Sequence, residues 1–395
     1  MNQRLQSFLR GEIESLKAKG IFRMPRVLET AAGPRVRMDG REIIQLSSNN
    51  YLGLTTHPKV VEAARRALEE FGAGPGAVRT IAGTMSLHLE LERRLARFKG
   101  TDAALVFQSG YTANVGVVST LMQEGDLIVS DELNHASIID GCRLCKAGRA
   151  IYRHLDYDHL RDILREARAR GTGKILVVAD GVFSMDGDVS DLKAIAALCR
   201  EFDAISMVDD AHATGVMGRN GRGTVDHFAV QEGWDIQIGT MSKAFGVMGG
   251  YVCASRDLVE FYVHKARPFL FSSSHPPAVI AACIAAVEVM ENEPDRVARL
   301  WENTRFFKEG LKRLGFNIGS SSTPITPVII GSGAKAARFS DELFARGVFA
   351  QGIYFPMVAE EKSRVRTIVM ATHTRADLEE ALRAFEHVGR SLGVI

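Results

Sequence analysis

The sequence predicts an α/β protein: a large domain built on a mostly parallel sheet flanked by helices, followed by a smaller α+β C-terminal domain. Three observations carry that prediction. Between about residues 100 and 255, short runs rich in Val and Ile alternate with longer stretches of helical periodicity, the pattern of a parallel sheet covered on both faces. After Ser274 the alternation gives way to long helical stretches and a few short strands. The chain has 395 residues, 46% hydrophobic and 24% charged, which at about 150 residues per domain allows two to three packed domains and excludes disordered or fibrous classes.

Taken in order, the first twenty residues mix charges of both signs with apolar positions at helical spacing and read as an amphipathic helix without a signal-peptide core. The strand candidates that follow are ALVF within 103 to 107, DLIVS at 126 to 130, KILVVAD at 174 to 180, AISMVDD at 204 to 210, DIQIG at 235 to 239 and GYVCAS at 250 to 255. Beyond HPPAV a long helical stretch runs through Leu314; PITPVIIG, a helix from about Lys335 to Arg346, and VFAQGIYF make up the smaller unit, which an amphipathic helix closes. The expected partition is an arm over 1–45, a large domain over 46–280 and a C-terminal domain over 281–395.

Charge and composition narrow the function. Lys and Arg number 49 against 47 Asp and Glu, a net charge of +2, so no broad basic field exists to grip nucleic acid. The longest apolar run, 278 to 287, falls well short of the roughly 20 residues of a membrane span. Five cysteines without an export signal fit a reducing compartment, and the cytoplasm is expected. Cys142 and Cys145 form a CxxC, but with no second pair and a helical setting they read as packed thiols rather than zinc ligands. GAGPG at 72 to 76 lacks the third glycine of a dinucleotide fingerprint, which argues against a nicotinamide-dependent dehydrogenase; GSGAK at 331 to 335 lacks the ending of a P-loop and reads as a loop.

Ligands of open parallel sheets sit beyond the carboxyl ends of the strands. Here those ends carry Ser109 and Gly110, Asp180 and Ser184, Asp209 and His212, and Thr240 and Lys243. A lysine able to form a Schiff base, a carboxylate for a pyridine nitrogen and hydroxyl and backbone donors for a phosphate are together the needs of pyridoxal phosphate (PLP). Individually these residues have ordinary uses: Asp after a strand caps turns, and a lysine there is commonly a solvated charge. Their joint occurrence at successive strand ends is what points to the cofactor.

NNYLG (49 to 53), GPGAVRTIAGT (74 to 84), DELNHASIIDG (131 to 141), DGVFSMDG (180 to 187), VDDAHATG (208 to 215), GTMSKAFG (239 to 246), FSSSHPP (271 to 277) and RVRTIVMATHT (364 to 374) resemble, in order and over nearly the whole chain, the α-oxoamine synthases, PLP enzymes of fold type I. The resemblance implies that Lys243 forms the Schiff base and in neutral form removes the Cα proton, that Asp209 pairs with the pyridine nitrogen, and that His212 and Ser184 attend the ring hydroxyl. It further implies that His135 stacks on the ring, that Ser109, Gly110, Tyr111 and Thr240 bind the phosphate, and that Ser273 reaches the phosphate of a neighbouring subunit, hence a homodimer with shared active sites. Asn49 and Arg366 match positions that hold the amino-acid carboxylate. NHASIIDGCRL and DGVFSMDGD look most like glycine C-acetyltransferase, so the expected reaction joins glycine to acetyl-CoA; the alternative is 8-amino-7-oxononanoate synthase, joining L-alanine to pimeloyl-CoA, or a broader specificity. Ala77, Val78 and Ala82 around Arg79 fit a small amino acid, and Val78, where 5-aminolevulinate synthases carry a hydroxyl residue, argues against that branch.

Overall fold

The computed structural model describes residues 2–19, 22 and 24–395. Its centre is a seven-stranded sheet of β3 (Ala103–Phe107), β4 (Leu127–Asp131), β5 (Gly148–Tyr152), β6 (Ile175–Asp180), β7 (Ile205–Asp209), β8 (Ile236–Thr240) and β9 (Gly250–Ala254), in the order β3-β9-β8-β7-β6-β4-β5. β9 is antiparallel to both neighbours and the other six strands share one direction. Alternating residues of each strand enter different cores: Leu176 and Val178 of β6 pack with Ile236, Ile238 and Val252, whereas Ile175, Val177 and Ala179 pack with Leu160, Leu164 and Ile195 on the opposite face. Burial on both faces is why these strands read as unbroken apolar runs rather than as alternations.

The N-terminal hairpin, β1 (Arg35–Met38) and β2 (Arg41–Gln45), pairs in parallel with β11 (Val348–Phe349) near the other end of the chain. A third sheet contains β10 (Ile325–Ile329), β12 (Gln351–Ile353) and β13 (Arg364–Ile368), with β13 central and all pairs antiparallel. We propose the partition 1–45, 46–280 and 281–395 as the working division, with β2–β11 pairing tying the arm to the last unit.

Several elements differ from the sequence reading. Strand β5 is absent from the strand candidates; it is an edge strand whose side chains are mostly exposed, so it lacks an apolar run. The stretch through Leu314 is two helices, Pro277–Asn292 and Asp295–Arg313, broken at Glu293 and Pro294. GSGAK is not a loop: Gly333 opens the helix Gly333–Ala345, with Ser332 as its cap and the Glu360 carboxylate accepting from the Gly333 N–H at 2.7 Å. Cys145 lies beyond the end of the helix Ala136–Arg143 that contains Cys142. The first helix, Gln3–Ala18, is amphipathic as read but buries none of its residues. No helix among the described residues is long and apolar enough to cross a membrane.

One buried ion pair anchors the loop that follows β7. Lys99 Nζ donates to Asp210 Oδ2 at 2.8 Å and to the Arg222 carbonyl at 2.6 Å, and both charged side chains are fully buried. Asp210 also accepts from the Thr224 N–H at 3.0 Å and from the Thr224 hydroxyl. Removing one member leaves an uncompensated buried charge. Lys99→Met is therefore expected to cost about 3–5 kcal/mol in denaturant unfolding; a loss below about 1 kcal/mol would show that Asp210 is satisfied without it.

Candidate active site

Parallel register brings the strand ends to one level. Asp180 at the end of β6 lies opposite Asp209 at the end of β7, and Asp209 lies opposite Ile238 of β8. At the sheet's other side Phe107 and Thr240 both pair with Gly250, which brings the segment after β3 against the end of β8. Gly250 is required there: a Cβ at that position would lie 2.2 Å from the Ser109 carbonyl oxygen and 2.5 Å from the Gly110 nitrogen. The result is a cavity of about 180 Å³ walled by Ser109, Gly110, Tyr111, His135, Ser184, Asp209, His212, Thr240 and Lys243 among others.

The phosphate end is a helix start. Ser109 caps the helix Gly110–Leu121, its Oγ accepting from the Thr112 N–H at 3.1 Å. The first-turn N–H groups of Gly110 and Tyr111 have no intrahelical acceptor and present an anion site at the positive end of the helix dipole. Tyr111 contributes backbone only, because its hydroxyl turns away to donate to Asp140 Oδ2 at 2.9 Å. The Thr240 hydroxyl donates to the Gly249 carbonyl at 2.8 Å and shares a 2.8 Å hydrogen bond with Ser242 Oγ, which adds Ser242 to the hydroxyls at this end.

The opposite end is acidic and buried. Asp209 Oδ1 accepts from the Ala211 N–H at 2.8 Å and Oδ2 from Asn114 Nδ2 at 2.6 Å, so the carboxylate is fixed in one orientation. Burial, reinforced by Asp209, pushes the Asp180 carboxyl well above its usual range; its Oδ2 accepts from the His135 N–H at 2.9 Å. His212 is held neutral, chiefly by burial and then by the Lys243 and Arg366 charges, and its Nδ1 shares a 2.8 Å hydrogen bond with the buried Tyr51 hydroxyl. Burial lowers Lys243 to about 8 against the opposing pull of Asp209 and Asp180, which makes a neutral amine accessible near physiological pH.

Arg366 projects from β13, and its Nη1 donates to the Ser184 carbonyl at 3.1 Å. Its Nε is a buried donor without a partner, the state expected of a group that awaits an anionic ligand, whereas the unpartnered Asn49 Oδ1 is an acceptor, so Asn49 could meet a carboxylate only through its Nδ2. Neither residue lines the cavity itself. Ser273 is also outside it: exposed, bridged to Val78, and donating nothing inward, with its carbonyl accepting from Gln108 Nε2 at 2.7 Å. Arg79 is buried and forms a double hydrogen bond to the Glu92 carboxylate at 2.8 and 3.0 Å, so the segment around it is a structural turn on this chain rather than a wall of its own cavity.

Four residues near the cavity went unassigned from sequence: Tyr51, Asn114, Ser137 and Ser242. Tyr51 and Ser137 sit inside motifs that were read for their neighbours Asn49 and His135, and Asn114 lies in mid-helix where spacing gives no signal. The segment carrying Ser184 is clamped from both sides. Arg364 donates to Asp186 Oδ1 and to the Met185 carbonyl at 2.5 and 2.9 Å, while His154 bridges Asp131 and Asp188, both at 2.9 Å.

The chain matches the family model for aminotransferase class I and II over residues 41–385 and belongs to that family. It is 55% identical over 391 residues, 99% of this chain and 100% of the relative, to 8-amino-7-oxononanoate synthase of Symbiobacterium thermophilum, and 50% identical over 391 residues, 98% of each, to 8-amino-7-oxononanoate synthase 1 of Bacillus subtilis. Among solved structures, serine palmitoyltransferase of Sphingomonas wittichii superposes with a TM-score of 0.93 at 34% identity, covering 98% of both chains. The S. paucimobilis serine palmitoyltransferase with a bound PLP–myriocin aldimine gives 0.94 at 33%, covering all of both. Within its family the chain is therefore an α-oxoamine synthase of fold type I. These relatives overturn the expectation of a glycine C-acetyltransferase. The stretches behind that expectation contribute His135, Ser137, Asp180, Val182 and Ser184 to the cavity wall.

His154 gives this region a pH signature. Burial alone would depress the imidazole, but the hydrogen bonds its N–H groups donate to Asp131 and Asp188 outweigh it and hold His154 at about 9, above its ordinary 6.5. A raised histidine contributes fully below pH 6.5 and loses that contribution as pH rises through about 9. Compared with His154→Gln, the wild-type protein should lose stability between those limits in urea titrations at stepped pH; parallel curves for the two proteins would refute the clamp.

Proposed function

We propose that this chain is an 8-amino-7-oxononanoate synthase: L-alanine and pimeloyl-CoA are condensed to 8-amino-7-oxononanoate with release of CoA and carbon dioxide, the carbon–carbon bond-forming step of a biotin route. The observation that carries this reading is the identity of 50–56% over 98–99% of the chain to several relatives of that name, on a site whose residues suit amino-acid chemistry.

The cofactor is PLP, and the cavity fits it: donors at a helix start for a phosphate, a fixed buried carboxylate at the far end for a protonated pyridine nitrogen, and a lysine of lowered basicity between. When bound, PLP supplies a carbonyl carbon for amines and an electron sink for charge developing at the amino-acid Cα. The Gly110 and Tyr111 N–H groups would hold the phosphate, with the Ser242 hydroxyl, which Thr240 positions, beside them. Asp209, held by two hydrogen bonds, would face the ring nitrogen and favour its protonated form. His135 would lie against the ring face, and neutral His212, oriented by Tyr51, would meet the ring hydroxyl alongside Ser184. Arg366 receives the substrate carboxylate in a bidentate pair with Asn49 beside it. Lys243, about half neutral near pH 8, takes the Cα proton on Nζ and returns it after the acyl transfer.

A homodimer with shared sites completes the reading. Ser273 is exposed outside its own chain's cavity and lies beside Phe271, 70% exposed, and not far in the fold from Ile81, 83% exposed, on the turn bridged to Ser273 through Val78. Such a surface supports Ser273 reaching a partner's phosphate. The cytoplasm is the compartment we propose.

Thiol release by the holoenzyme, with L-alanine and glycine each paired with pimeloyl-CoA and acetyl-CoA, tests the assignment through kcat/KM. The alanine and pimeloyl-CoA pair should be preferred by at least tenfold over the others. Comparable rates for acetyl-CoA would mean a broad acyl site, and a preference for glycine with acetyl-CoA would contradict the proposal.

A further inference from the structure

A polar chain runs from the cavity wall at Ser137 to Asn114 behind it, through two residues to which no role has been given. Asn114 and Ser137 are each 1% exposed. Asn114 Nδ2 lies 2.6 Å from Asp209 Oδ2 and 2.9 Å from Ser137 Oγ, and Ser137 Oγ lies 2.7 Å from His135 Nδ1. The direction of each hydrogen bond follows from chemistry. Both contacts are made by the Asn114 NH2, which donates one hydrogen to the Asp209 carboxyl oxygen and the other to Ser137 Oγ. His135 Nδ1 also faces the Ser137 N–H at 3.3 Å, so Nδ1 carries the lone pair and the Ser137 hydroxyl donates to it. The His135 proton is then on Nε2. The amide's other end pays for this geometry: Asn114 Oδ1 is buried with no partner.

We propose that Asn114 and Ser137 form a positioning relay that holds the ring-nitrogen carboxylate Asp209 and the ring-stacking His135 in register, fixing the orientation of the first and the tautomer of the second as one unit. The inference rests on the reading that this cavity holds PLP with Asp209 at its ring nitrogen. Neither residue touches the reacting atoms. Both act through the two groups that set the cofactor's electron demand, one at the ring edge and one on its face. Ser137 Oγ links the Asn114 amide to His135 Nδ1, and among the described residues Asn114 is the only side-chain donor to the Asp209 carboxylate.

The test is a double-mutant cycle of Asn114→Ala, Ser137→Ala and the double variant, read by two measurements on purified protein: the dissociation constant of PLP from absorbance titration, and the pH of the visible-absorbance transition of the bound cofactor. Losing a hydrogen bond to a charged group predicts roughly 10- to 100-fold weaker PLP binding in Asn114→Ala, together with a displaced transition pH. A relay predicts a double variant no worse than its weaker single by more than about twofold. Asn114→Ser, which retains a hydroxyl donor, should recover part of the loss and serves in place of Asn114→Ala if that variant does not fold. PLP affinity within about twofold of wild type with an unmoved transition, or strictly additive losses, would overturn the relay. A wild-type protein with no PLP absorbance band would overturn the underlying reading instead.

Discussion

The structure depends on placing ionisable groups where water is nearly excluded and balancing them against one another. Lys243, Asp209, Asp180 and His212 line one cavity with Arg366 just outside it, and burial pushes the lysine, histidine and arginine down and the Asp180 carboxyl up. Asp209 is the pivot. It pulls against the desolvation of Lys243, raises Asp180 and opposes the lowering of His135, and it is held by two donors. A carboxylate that can be neither rotated nor easily hydrated offers a fixed negative charge to a ring nitrogen, and fixed charge in a low-dielectric site is worth more than mobile charge in water.

The sheet is what makes such an arrangement possible. Six codirectional strands bring four functional strand ends to one edge, and the register Asp180 to Asp209 sets two carboxyls side by side. Lys99 and Asp210 then anchor the loop that starts one residue beyond Asp209, so a buried ion pair with no chemical task supports the segment that carries His212. From the C-terminal side, Arg364 and Arg366 both reach the 184–186 segment, which couples the small domain's central strand to the cavity wall.

Much of this was legible in the sequence because the physics is local. A strand buried on both faces must be apolar throughout, and polar residues immediately after it must sit at the carboxyl edge; hence Ser109, Asp209, Thr240 and Lys243 could be placed from spacing, and nine of the twelve residues expected at the site line the cavity. What stayed hidden is nonlocal. Strand β5 has exposed faces and owes its existence to β4. Asn114 acquires meaning only from a contact 95 positions away with Asp209. Ser273 lies outside its own chain's cavity, and the expectation of glycine C-acetyltransferase rested on two short stretches that the relatives, matched over nearly the whole chain, overrule.

The central claim is that Lys243 is the residue that engages PLP in this cavity. Borohydride reduction of the purified holoenzyme, followed by proteolysis and mass spectrometry, measures this directly. The account predicts loss of the visible absorbance and a single pyridoxyl-phosphate adduct on the peptide containing GTMSK, at Lys243. An adduct on another lysine, or a cofactor band that resists reduction, would contradict it.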